Sequence, residues 1–73
     1  MSHPDFVDKG VKIGKFIEEC GEALAAAGKC VRFGMYSYNP MLPEDQRETN
    51  RDWLKRELAD LKEAIAMLEK QLE

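Results

Sequence analysis

Apolar and polar positions alternate along this chain with two helical periods separated by a stretch without one. Ile13, Phe16, Ile17, Cys20, Leu24, Ala27 and Val31 recur at intervals of three and four. That spacing draws one stripe on a helix and predicts one over about 5–33. Pro4 and Asp5 suit its start, and Gly34 suits its C-terminal end. Asn39-Pro40 and Leu42-Pro43 interrupt the pattern, so about 35–48 reads as a loop. A helical turn is expected within it at Pro43-Glu44-Asp45-Gln46. Leu54, Leu58, Leu61, Ile65, Leu68 and Leu72 then fall at alternating spacings of four and three. They predict a second helix over about 50–72 with a nearly continuous seam. Thr49 with Asp52 resembles a capping box at its start.

The expected fold is all-α: a two-helix hairpin forming a single domain over 1–73. A hairpin has no closed core. A 73-residue chain buries only about 60% of its unfolded surface. Pairing hairpins into a four-helix bundle would cover both stripes, so a homo-oligomer is expected, by dimerisation or higher assembly. The glycines point the same way. Gly10, Gly14, Gly21 and Gly28 fall within about 40° of one another on the first predicted helix. Each interior glycine costs roughly 1 kcal/mol against alanine, which close approach of another backbone would offset.

Net charge is −3, with 34% charged residues. That argues against a duplex nucleic-acid partner, which would call for a basic face. No apolar run approaches the roughly 20 residues that span a bilayer, and no secretory leader pattern opens the chain. Cys20 and Cys30 would stand about 15 Å apart along one helix, too far for a disulfide. Reduced thiols and a cytoplasmic location are expected.

The acidic residues carry the candidate chemistry. Glu18, Glu19 and Glu22 form E-E-x-x-E, and Glu57 with Asp60 forms E-x-x-D. Residues three and four apart share a helical face. Side-by-side packing would let these carboxylates meet. A hard divalent cation, Mg²⁺ or Mn²⁺, would relieve their repulsion through oxygen ligands. The plainer reading is a solvated face, with Lys15 pairing Glu18 and Glu19.

Glu18-Glu19-Cys20-Gly21-Glu22 followed by Glu57-Leu58-Ala59-Asp60 resembles the metal-binding signature of the MazG-like, all-α nucleoside triphosphate pyrophosphohydrolases. Lys29-Cys30-Val31-Arg32-Phe33-Gly34 looks like the K-x-x-R-F-G stretch of short, phage-type members. Asn50-Arg51-Asp52-Trp53-Leu54 looks similar too, and the resemblance covers about 11–70. It implies cleavage of a (deoxy)nucleoside triphosphate into a monophosphate and pyrophosphate. It implies Mg²⁺ held by Glu18, Glu19, Glu22, Glu57 and Asp60, with Glu19 alternatively acting as general base. Lys29, Arg32, Trp53 and Arg56 are the candidate substrate-binding residues. The chain departs from the fuller family pattern in its brevity and in the long non-helical stretch between the motifs. Two other readings stay open: a nucleotide-sequestering protein of the same fold, and a helical interaction module with merely superficial acids.

Overall fold

The computed structural model describes residues 10–73. Helix α1 spans Val11–Phe33 and helix α2 spans Asn50–Gln71, with a short 3₁₀ turn at Glu44–Gln46 between them. There are no strands among the described residues. The start of α1 packs near the end of α2, where Val11 and Lys12 share a shallow depression with Met67, Lys70 and Gln71. The two helices therefore run antiparallel as a hairpin. Among the described residues, no helix is long and apolar enough to cross a membrane.

Local chemistry accounts for the helix ends. Gly10 adopts the left-handed conformation at φ 72° immediately before α1. A glycine enters that region without steric penalty. Gly10 is thus a boundary residue and not one of the helix's interior glycines. The expected start near Asp5 lies outside the described residues. Gly34 closes α1 at φ 97°, its N–H bonding Cys30 O at 2.9 Å. At α2, the Thr49 hydroxyl accepts from the Asp52 N–H at 3.1 Å, satisfying one of the free donors of the first turn.

The loop is built onto the same terminus. The N–H groups of Asn50 and Arg51 donate to Ser37 O and Met35 O at 2.8 and 2.7 Å. The Asn50 side-chain amide donates to Gly34 O at 3.0 Å. Arg47 holds the far side, donating to Leu42 O at 3.0 Å and Pro40 O at 3.2 Å. First-turn N–H groups have no partner within their helix. Here two of them tie down the loop.

The core departs from the expected stripe. The fully buried positions of α1 are Glu19, Ala23 and Ala26, and those of α2 are Glu57 and Ala64. Phe16, Cys20, Trp53, Leu54, Leu61 and Leu68 are half-buried around them. Ile13, Ile17, Leu24 and Val31 are exposed, Leu24 at 73% and Val31 at 89%. The leucine seam divides in the same way. Leu54, Leu61 and Leu68 turn inward, while Leu58, Ile65 and Leu72 are exposed. The physical reason is the alanine face. Small side chains let the helix axes come close, and that line of closest approach carries Glu19 and Glu57 inward.

This arrangement has an energetic consequence. No large side chain is fully buried among the described residues. Burying a large aliphatic side chain is worth about 1.5–3 kcal/mol. Seven such side chains stand 37–89% exposed on α1 and α2. The burial left unrealised is on the order of 10 kcal/mol, comparable with the whole stability of a small domain.

Candidate metal centre and adjoining cleft

Glu19 and Glu57 are each only 4% exposed. They face one another from the two helices at the level of the buried alanines. Glu22, one turn beyond Glu19, reaches over the same groove from its exposed edge. One carboxylate oxygen from each of Glu19, Glu22 and Glu57 lies within 4.8 Å of the others. Glu18 and Asp60 fall outside this group and are exposed. Glu18 is instead 3.9 Å from Lys15. Of the five acids expected to meet, only the three nearest the line of contact converge.

Charge in the cluster is only partly compensated. Lys15 Nζ is 2.8 Å from Glu19 Oε1, and Arg56 Nη1 is 3.0 Å from Glu57 Oε1. Glu19 Oε2 and Glu57 Oε2 are buried without any hydrogen-bond partner among the described residues. A buried carboxylate oxygen left unpaired carries a desolvation penalty. The nearness of the Glu57 carboxylate raises the Glu22 carboxyl above its ordinary value near 4.5, and the Glu19 charge pushes it further. The Lys15 ammonium is raised by its hydrogen bond to Glu19 and by the Glu18 charge. The donor set is three hard oxygens with two idle, buried lone-pair sites. It fits an oxygen-seeking divalent cation such as Mg²⁺ or Mn²⁺.

A cleft of about 810 Å³ opens beside the cluster, between the loop and the facing ends of the helices. Lys29, Phe33, Tyr38, Asn50, Trp53 and Arg56 line it. Three of the four candidate substrate residues, Lys29, Trp53 and Arg56, thus meet in one space. Arg32 does not line it and lies over the Phe33 ring at 5.4 Å. Lys29 approaches the same ring at 5.2 Å. Arg56 joins the cleft to the acids. Its Nη2 is 2.7 Å from Glu48 of the loop, while Nη1 holds Glu57. Glu48 raises the already high Arg56 further, with Glu57 and Asp60 adding to the effect.

Sequence reasoning missed Glu48 and Asn50 as parts of this site. A fixed spacing signals helical positions, but these residues gain their place through loop closure. A polar residue at the first position of α2, opposite a loop rich in free carbonyls, was the available signal for Asn50. Comparison with family models, curated proteins and solved structures finds no match to this chain.

Proposed function

We propose that this protein is a Mg²⁺-dependent nucleoside triphosphate pyrophosphohydrolase, converting a (d)NTP and water into a (d)NMP and pyrophosphate. The observation that supports it most is the pair of buried, unpartnered carboxylate oxygens of Glu19 and Glu57, with Glu22 beside them. A fold retains such a costly arrangement when something else completes it. Glu19, Glu22 and Glu57 are the ligands in this reading, with Glu18 and Asp60 recruited from the groove's edge. The ion, Mg²⁺ or Mn²⁺, supplies phosphate charge neutralisation and stabilises the charge developing on the pyrophosphate.

The chain's own residues do the rest. Lys29 and Arg56 meet phosphate oxygens, Arg32 supports them from the end of α1, and the Trp53 ring offers a stacking face. Water attacks the α-phosphorus and the bond to the bridging oxygen of the β-phosphate breaks. Glu19 accepts the water's proton when it acts as base. The hairpins assemble as a homo-oligomeric helical bundle in the same reading.

The exposure of Glu18 and Asp60 favours a second reading, a protein that holds nucleotide without hydrolysing it. Three ligands suffice to hold a cation and its phosphates, while catalysis also requires a positioned water. Incubation with a panel of dNTPs and Mg²⁺ separates the two. Stoichiometric release of monophosphate and pyrophosphate is expected. Tight binding without release from any triphosphate would replace the enzyme reading with the sequestering one.

A further inference from the structure

We infer that Arg56 is an exchangeable counter-ion. It stands against Glu57 until a divalent cation takes that carboxylate, and then passes to Glu48 at the wall of the cleft. The inference rests on the reading of Glu19, Glu22 and Glu57 as a cation site. To that reading it adds a positioning role for one side chain, which links cation loading to the state of the cleft.

The Arg56 guanidinium reaches two carboxylates at once. Nη1 is 3.0 Å from Glu57 Oε1, and Nη2 is 2.7 Å from Glu48 Oε1. Glu57 belongs to the acidic cluster, and Glu48 to the loop that walls the cleft. The planar fork of arginine holds two acceptors through separate nitrogens in a fixed geometry. One side chain therefore spans both parts of the site.

Charge points to an exchange. Glu19, Glu22 and Glu57 carry three negative charges when ionised. Lys15 and Arg56 return two positive ones, at 2.8 and 3.0 Å. A divalent cation brings the same two charges to the same carboxylates. Glu57 would then be compensated twice, and two positive groups against one carboxylate repel each other. Lys15 stands apart from the cleft lining. Arg56 lines the cleft and already touches its second partner there.

Burial decides which contact yields. Glu57 is 4% exposed and its Oε2 has no hydrogen-bond partner among the described residues. It is the carboxylate that gains most from a cation. The side chains of Arg56 and Glu48 are 54% and 41% exposed. Ion pairs at that exposure are individually weak, so a change of partner meets little resistance. The loop does not hang on the Glu57 contact. The N–H groups of Asn50 and Arg51 and the side chain of Arg47 tie it down. Arg56 can leave Glu57 with the wall of the cleft in place. Its transfer frees Nη1 beside the cleft, so a phosphate group meets an available guanidinium once the cation is bound.

Mn²⁺ alone is the probe, with the free ion measured by its electron paramagnetic resonance signal. The full chain is compared with Arg56→Gln, Glu48→Gln and the double variant. Arg56→Gln removes the competitor and should tighten Mn²⁺ binding roughly tenfold, the scale of one charge-assisted hydrogen bond. Glu48→Gln removes the alternative partner and should weaken binding about threefold, the scale of an exposed ion pair. In the Arg56→Gln background the Glu48 effect should vanish, because residues that act through one contact are not additive. A through-space effect of the Glu48 charge would persist there. Arg56→Gln binding no tighter than native, or a Glu48 effect undiminished in the double variant, overturns the inference and leaves the cation site standing. No uptake of millimolar Mn²⁺ by any of the four proteins overturns the cation reading together with the inference.

Discussion

The two sides of the hairpin are made from the same helices and from neighbouring residues, yet they meet water on opposite terms. One side carries Glu18, Glu22 and Asp60 above a groove that hides Glu19 and Glu57. The other carries Ile17, Leu24, Val31, Leu58 and Ile65 with no charge among them. On the acidic side, charge is buried where solvation is lost. On the apolar side, hydrocarbon is exposed where burial would be gained. Both are unfavourable in a lone hairpin, and different additions would relieve them, a cation on one side and a covering apolar surface on the other. The lesson is that a thin core of alanines organises a hairpin without satisfying it.

The largest expected effect breaks the contact that both sides share. Leu61 is half-buried between the helices, so Leu61→Glu puts a charge into the apolar contact between them. A loss of about 3 kcal/mol or more is expected, and far-ultraviolet circular dichroism should show most helicity gone at 25 °C. A native-like spectrum and melting curve would mean that the hairpin contact matters little.

Next come substitutions confined to the acidic side. Glu19→Gln should reduce turnover about 10²–10⁴-fold with nucleotide affinity largely kept, as for a general base. Glu57→Gln should lose binding and turnover together. Neither should alter the oligomeric state, because both residues lie away from the apolar face. Equal losses of affinity in the two variants would make Glu19 a ligand only.

A smaller effect appears with pH and cation. The Glu22 carboxyl is raised in the folded protein. A raised carboxyl favours folding when protonated, so its contribution is present below about pH 4.5 and is lost as pH rises through the higher folded value. The metal-free protein should therefore lose melting temperature from this source on going from mildly acidic to neutral pH. Millimolar Mg²⁺ or Mn²⁺ should restore it at neutral pH by binding the native state, and Glu22→Gln should abolish the pH-dependent part. If neither ion moves the melting curve at pH 7.5, even with nucleotide present, the cluster is not a metal centre.

The smallest effect concerns the loop that walls the cleft. Glu48 and Arg56 are each about half exposed at their ion pair, so Glu48→Gln should cost no more than about 1 kcal/mol. Its signature should be faster amide exchange at Ser37–Tyr38 rather than a large shift in melting. Unchanged exchange there would show that Asn50 and Arg47 hold the loop unaided.

Much of this arrangement is written in local sequence. The spacings from Ile13 to Val31 and from Leu54 to Leu72 determine two helices, because a 3.6-residue period suits no other element. Gly34, Thr49 and the prolines at 40 and 43 determine where they stop and start, since these residues act through their own backbone and nearest neighbours. Spacing likewise brings Glu19 and Glu22 to one face of α1. Which face turns inward was not legible. Periodicity identifies an apolar stripe but does not say whether it meets its own hairpin or another surface. Tertiary packing decided that Ala23, Ala26 and Ala64 meet and that Leu24 and Val31 do not, because small side chains permit the closest approach of two backbones. The same decision buried Glu19 and Glu57, left Glu18 and Asp60 at the edge, and let loop closure carry Tyr38 and Glu48 to the cleft. Those placements depend on contacts between residues far apart in the chain, and no local rule encodes them.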